Sequence, residues 1–382
     1  MQPGKPSQLI KKCSMEKFKL NIAILGTRGI PNRYGGFEAC AEQLALGLTD
    51  MGHKVAVYCI HDHPVKDRSW NGIQRILKHN PENILGSSGQ FIYDLRCNLD
   101  SRKRDFDLIL HLGYTSDSIW YKIWPRKSIH FVNMDGMEWK REKYGNLTKR
   151  FLKWAERLAT LRAHTLIADN PAIEEYMAAK YKLPIHFIPY GAFIPAEYSH
   201  NILNSLGLTP HAYDLMVARM EPENHIADAI EAKLKNDDNY PLVIISNRNK
   251  YASVLEQKFG SQEKIIFAGP VYEPDLVQSL RHFSRYYIHG HSVGGTNPSL
   301  LEAMACGCKI IAHQNPFNQA VLGRDASYFS TKDNLAELLA ANPGEEEESG
   351  AQVNIHKIKD VYNWEKVTHD YEKLFRHAIK HT

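Results

Sequence analysis

The chain has 382 residues, enough for two ordinary domains, and its 43% hydrophobic and 24% charged content is that of a soluble globular protein. A formal net charge of +4 is too small to argue for nucleic-acid binding, and no apolar run approaches the roughly 20 residues that span a bilayer. Six cysteines at 13, 40, 59, 97, 306 and 308 lack framework spacing; they exclude a disulfide scaffold and read as reduced thiols of a cytoplasmic enzyme.

Residues 1–18 carry lysines without a sustained apolar core, so they read as a basic tail rather than a secretory leader. A buried-strand run follows at 20–25. It ends in the loop Gly26-Thr27-Arg28-Gly29-Ile30-Pro31-Asn32-Arg33-Tyr34-Gly35-Gly36-Phe37-Glu38. A helix over 36–49 is predicted from Phe37, Cys40, Leu44 and Leu48, then a strand at 54–59. Further strands are expected at 107–112, 128–132 and 165–168, which makes a parallel sheet covered by helices. Gly191, Pro195 and Pro210 mark a seam, and the pattern restarts with strands at 214–218, 242–246, 264–268, 286–289 and 309–312. The acidic run at 345–348 reads as a solvated loop, and residues 364–380 as a helix. The predicted fold is α/β, with two Rossmann-like doubly wound domains facing across a cleft. Ligands of open α/β sheets bind at the C-terminal edges of the strands, so that cleft is the expected site.

Three stretches carry chemistry. The first loop is neither a P-loop nor G-x-G-x-x-G. Gly35 and Gly36 open a helix with bare amides, and Arg28 and Arg33 supply charge for a diphosphate; a turn with two solvated arginines fits the same residues. Arg219 follows the strand at 214–218, where a guanidinium suits a diphosphate leaving group, although an ion pair with Glu221 or Glu223 is the alternative. Gly294-Gly295-Thr296-Asn297-Pro298 then opens a helix that carries Glu302 about one turn in, the outline of a site with phosphate on the amides and ribose on the carboxylate. Asp135 and His111 end strands at the cleft edge. Asp135 is placed to orient an acceptor hydroxyl, or is a turn aspartate before Gly136. His111 is a second catalytic candidate, or a buried histidine bonded to backbone. No nucleophile elbow or Cys–His signature is present, and no acidic pair stands where a donor-binding metal would need it.

Arg219-x-x-Pro222-Glu223, Gly294-Gly295 through Glu302-Ala303-Met304-Ala305-x-Gly307 and Trp364-Glu365-Lys366-Val367 resemble the retaining GT-B glycosyltransferases of family four. The first loop and Asn133-Met134-Asp135-Gly136-Met137-Glu138-Trp139-Lys140-Arg141 resemble the bacterial rhamnosyltransferase subgroup that builds cell-surface polysaccharide. The resemblance, which covers the chain from about Lys19 onward, implies an acceptor-side domain at 19–195, a donor domain at 196–360 and a helix at 361–382 crossing back to the first domain. It also implies a nucleoside-diphosphate-sugar donor, dTDP-rhamnose favoured; no cofactor or metal is expected, since no residue cluster in the sequence calls for one. Glu302 would bind the ribose, Arg219 the phosphates, Gly35 and Gly36 the diphosphate from the opposite side, and Gly295, Thr296 and Asn297 the donor. Two departures stand out: the first glutamate of the E-x7-E element is Gly294, and the lysine of R-x-x-P-E-K is Asn224. His291 or Asn297 is expected to take over sugar contacts, and Arg28 or Arg33 the missing charge. A nucleotide-sugar epimerase or hydrolase, or a non-catalytic nucleotide-sugar-binding protein, are the alternatives.

Residues 138–163 hold eight Lys/Arg against three Glu. Leu147, Phe151, Trp154, Leu158 and Leu161 recur at helical spacing, with Arg150, Lys153 and Arg157 on another face. The apolar stripe is either the core side of a helix or, with Trp120 to Lys127, a surface for anionic lipid. The second reading places the enzyme peripherally on the cytoplasmic face of the membrane, acting on a lipid-diphosphate-linked or saccharide acceptor.

Overall fold

The computed structural model describes residues 18–141, 143–271 and 273–381. The expected basic tail, Phe18 excepted, and Cys13 lie outside them. Among the described residues fourteen strands form two sheets. The first holds β1 (Asn21–Leu25), β2 (Lys54–Ile60), β3 (Ser69–Trp70), β4 (Ile73–Lys78), β5 (Leu108–Leu112), β6 (Ile129–Asn133), β7 (Thr165–Ala168) and β8 (Ile185–Phe187). Their order is β3-β4-β2-β1-β5-β6-β7-β8, parallel except for β3 on β4. The second holds β9 (Asp214–Val217), β10 (Leu242–Ile245), β11 (Ile265–Gly269), β12 (Tyr287–His289), β13 (Ile310–His313) and β14 (Ser327–Phe329). Its order is β11-β10-β9-β12-β13-β14, with every pairing parallel. In each sheet the chain order reverses beside the first strand, which opens a crevice at the C-terminal strand ends.

β1, β5 and β6 have no exposed residue, because helices cover both faces of the sheet. Ile22, Ile24, Leu108, Leu110 and Leu112 join one core cluster with Cys40, Leu44 and Leu48 of the helix Gly36–Asp50. The helix Trp364–His381 lies against that same domain: Phe375 packs 4.8 Å from Phe131, and Asn133 Nδ2 donates to Tyr371 Oη at 3.4 Å. Gly47 lets it approach, since a Cβ there would stand 2.7 Å from Thr368.

The acidic run at 345–348 is not a loop. It forms the first turn of the helix Glu345–Asp360, where four carboxylates face the positive end of the dipole and Glu347 accepts the Gly344 N–H at 3.0 Å. Cys306 and Cys308 are free and buried, and burial lifts the Cys306 thiol to about 11, so the CxC is core.

Candidate active site

Loops from the two sheets meet edge to edge. The helix Gly36–Asp50 has Gly35 at its N-cap with no side chain capping it, so its first amides are open. A Cβ on Gly36 would lie 3.3 Å from Pro298 Cγ, the first residue of the helix Pro298–Ala305. Two helix N-termini therefore confront each other across the cleft, one from each domain. The Gly36 helix offers open amides and its dipole end, whereas at the Pro298 helix the proline has no N–H and Asn297 takes the Ser299, Leu300 and Leu301 N–H groups, so that helix offers its dipole end alone. Gly136 after β6 abuts the Gly294 backbone, with an added Cβ only 2.7 Å from its Cα. Cross-domain ion pairs close the rim: Arg141 Nη1 to Glu223 at 3.3 Å and Lys143 Nζ to Glu221 at 3.6 Å.

Asp135 sits in this seam with a left-handed backbone (φ 51), its amide donating to Asn133 Oδ1 at 3.0 Å. Burial, reinforced by the Glu138 carboxylate, lifts it to about 7 against the opposing pull of the Gly136 amide, Arg141 and Arg219. An acid titrating there exchanges protonation state at ordinary pH.

Arg219 is exposed on the loop after β9, and among the described residues its guanidinium makes no ion pair. Glu221 and Glu223 are held by Lys143 and Arg141 instead, so the expected alternative of an internal pair is not what forms. Asn224, standing where a lysine was expected, donates from Nδ2 to Arg219 O at 2.8 Å. Asn247 accepts the Met220 N–H at 3.0 Å and Asn249 donates to Met220 O at 2.6 Å. Three asparagines thus fix the backbone beneath Arg219.

Glu302 is exposed on the helix Pro298–Ala305, with one oxygen 2.5 Å from the buried Arg281 guanidinium. A carboxylate held by one oxygen keeps the other for a ligand hydroxyl. Glu302→Ala is expected to raise the donor KM about three- to tenfold with turnover nearly unchanged, since the contact is at the solvent edge; initial-rate kinetics over donor concentration check it.

Several expected residues are used otherwise. His111 is fully buried under Trp124 (ring centroids 4.0 Å apart), with Nδ1 2.6 Å from Asp117 and Nε2 2.9 Å from His130 Nδ1. It does not reach the cleft, and the catalytic role expected for it is withdrawn. Arg28 pairs with Glu82 at 2.6 Å and lies over the Tyr34 ring, while Arg33 is exposed at the loop tip. Thr296 is buried: its hydroxyl donates to Asp169 O at 2.5 Å, so the side chain is spent on the domain seam. Asn297 caps its helix by accepting the Ser299 N–H at 2.9 Å. Burial, with Arg219 and Arg141 adding, lowers His291 to about 3, which keeps it neutral.

Sequence reasoning missed Arg141, Glu223, Arg281 and Asp169. Arg141 and Glu223 lie inside motifs already singled out, so only their pairing was hidden. Asp169 directly follows β7, a position that would have drawn attention had the strand-end rule been applied to every strand.

Residues 207–342 match the family described as Glycosyl transferases group 1, and residues 19–193 match a domain of unknown function, DUF1972. No curated protein matches the chain. Among solved structures, sucrose-phosphate synthase from Thermosynechococcus elongatus superposes with a TM-score of 0.81 at 14% identity, over 95% of this chain and 100% of that one. Anabaena HepE in complex with UDP and glucose gives 0.74 at 15% identity, over 94% and 100%. The UDP-forming α,α-trehalose-phosphate synthase from Burkholderia xenovorans, in complex with glucose-6-phosphate, gives 0.70 at 11%, over 93% and 100%. These findings support glycosyltransferase activity: the chain has the GT-B fold, and its residues 207–342 match the group 1 glycosyl transferases.

Proposed function

We propose that the protein transfers a sugar from a nucleoside diphosphate, with retention, to a lipid-diphosphate-linked or saccharide acceptor in cell-surface polysaccharide synthesis. The carrying observation is the confrontation of the two helix N-termini at Gly36 and Pro298, with Asp135 beside it and an Arg219 that makes no ion pair among the described residues. The amides and Arg219 bind the diphosphate and stabilise the charge it gains as the glycosidic bond breaks. Asp135 accepts a hydrogen bond from the acceptor hydroxyl and orients it, and the leaving phosphate takes the hydroxyl proton. Glu302 holds the ribose. Main-chain dipoles and guanidinium suffice for the diphosphate, so no divalent ion is required in this scheme. Binding of UDP and glucose by HepE supports a nucleotide-sugar donor; dTDP-rhamnose is favoured on the resemblance of residues 26–38 and 133–141.

The test is nucleoside diphosphate release from dTDP-rhamnose, UDP-GlcNAc and GDP-mannose, with and without a GlcNAc-diphosphate-lipid analogue. Release that depends on acceptor is expected. Release without acceptor would indicate hydrolysis or epimerisation, and binding without turnover a non-catalytic protein.

The helix Asn146–Thr160 supports a peripheral membrane position. Its inward face is Leu152, Ala155, Glu156, Leu158 and Ala159. Of the sequence stripe only Leu158 is buried, while Leu147 (81%), Trp154 (51%) and Leu161 (54%) are exposed. Phe151 stacks edge-on to Phe91 at 5.8 Å, and Arg150, Lys153 and Arg157 are exposed alongside. No helix among the described residues is long and apolar enough to cross a membrane. An exposed apolar strip flanked by cations suits the surface of an anionic leaflet. Flotation with anionic liposomes at low salt is expected to carry the protein. Replacing Arg150, Lys153 and Arg157 by glutamine is expected to weaken binding roughly a hundredfold, at about 1 kcal/mol per basic residue. Failure of the unaltered protein to float contradicts the docking.

A further inference from the structure

Asp169 is the buried carboxyl that the scheme above leaves without a task. It lies at the C-terminal end of β7, 1% exposed, and its Oδ1 has no hydrogen-bond partner. Burial first, and the neighbouring Asp135 second, push it well above the usual carboxylate range. Burial outweighs the backbone hydrogen bonds from Thr296 and from Asp169 itself that favour the ionised form, so the protonated form is favoured. Its charge would bear on Cys40 of the helix Gly36–Asp50, Tyr190 of the interdomain segment and Tyr371 of the C-terminal helix, so three elements of different parts of the chain surround it.

The fourth neighbour belongs to the other domain. A Cβ built on Gly295 would lie 2.0 Å from Asp169 Oδ1 and 2.6 Å from both Cγ and Oδ2, and it would meet nothing else so close. Gly295 does not have the left-handed backbone that favours glycine, whereas Gly294 does (φ +135). Glycine at 295 is therefore demanded by Asp169 and not by the turn. The adjoining residues continue the grip. Thr296 Oγ1 donates to Asp169 O at 2.5 Å, and Asn170 Nδ2 reaches Thr296 Oγ1 at 3.3 Å and Phe317 O at 3.2 Å. Asn170 is itself fixed, because its Oδ1 caps the helix Pro171–Lys180 by accepting the Ala172 N–H.

We propose that Asp169 and Asn170 form a clasp that seats the Gly294–Gly295–Thr296 loop, making Asp169 a positioning residue for that loop and for the start of the helix Pro298–Ala305 on the donor side of the cleft. The side chain touches no substrate. It acts through the loop, filling the volume that a side chain at 295 would take, so that the two helix N-termini are held in register across the cleft. This rests on the reading of the cleft as a donor site.

A mutant cycle tests it. Gly295→Ala is expected to lower Tm by about 4 °C, as overpacking at a seam does, and to weaken dTDP and UDP binding about tenfold by calorimetry. Asp169→Ala alone is expected to weaken nucleotide binding at least threefold by loosening the loop. The double variant is expected to recover more than half of the Tm lost in Gly295→Ala, because the collision is gone, and coupled neighbours are expected to depart from additivity. Asp169→Asn, neutral and of the same shape, is expected to match the unaltered protein within about twofold in affinity. A double variant no more stable than Gly295→Ala overturns the clasp, and unchanged nucleotide affinity in Asp169→Ala overturns its positioning role. The Tm cycle needs no ligand. A protein that binds no nucleoside diphosphate while the cycle shows coupling overturns the donor-site reading and leaves the contact established.

Discussion

Asp135→Asn is expected to lower kcat about a hundredfold with little change in donor KM, the size that loss of the carboxylate orienting the acceptor hydroxyl can reach. The substitution keeps the shape and the left-handed turn, since asparagine tolerates that backbone as well as aspartate does. What it removes is the ionised form. Asp135 is shifted upward, to about 7, by burial and by Glu138. Below that pH the carboxyl is protonated and cannot accept a hydrogen bond from the acceptor hydroxyl on both oxygens; above it the carboxylate is present. Activity therefore rises with pH, about tenfold per unit on the acid side, and levels off above about 7. In Asp135→Asn that limb disappears. A pH–rate profile from 5.5 to 8.5 for both proteins checks this; an unchanged acid limb in the variant assigns the titration to another group.

Arg219→Ala is expected to lower kcat/KM at least tenfold, equal to about 1.4 kcal/mol of lost transition-state stabilisation. Among the described residues the guanidinium has no ion-pair partner, because Glu221 and Glu223 are engaged by Lys143 and Arg141. Its loop is held by Asn224, Asn247 and Asn249, so truncating the side chain leaves the backbone in place. The loss then falls on binding of the diphosphate as it gains charge. Arg219→Lys is expected to recover part of the activity, since lysine supplies a point charge without the forked geometry. Near-normal kinetics of Arg219→Ala, measured by nucleoside diphosphate release, remove Arg219 from the site.

The parts of the fold that were legible in the sequence are those where burial is two-sided. β1, β5 and β6 read as strands because apolar runs of that length are what a sheet covered on both faces requires. β4 was missed because Arg75 breaks its pattern. The structure buries that arginine, with Nε donating to Ile30 O at 2.7 Å and Nη2 to Val65 O at 2.9 Å. β8 and β14, of three residues each, are too short to show periodicity. Composition misled at 345–348, where a run of like charge is stabilised by the helix it starts.

For the site, the sequence located the loops and misassigned several side chains. Gly35, Gly36 and Arg219 face the cleft because each belongs to a loop that leaves a strand's C-terminal end. His111 is one residue short of the end of β5, and its side chain turns to the face covered by Trp124. Thr296 and Asn297 are absorbed by local hydrogen bonding that spacing does not reveal. Asp169 was hidden for a related reason: in Asp169-Asn170-Pro171 the cap of the following helix is the louder signal, and the contact with Gly295 spans 126 positions of sequence, outside the reach of any local pattern.

The most direct measurement is a crystal structure grown with dTDP or UDP in the presence of a chelator. The diphosphate is expected against the open amides of the Gly36 helix start and the dipole end of the Pro298 helix, with Arg219 on its oxygens and the ribose against Glu302. Density for the nucleotide elsewhere, or binding that vanishes when divalent ions are removed, contradicts the account.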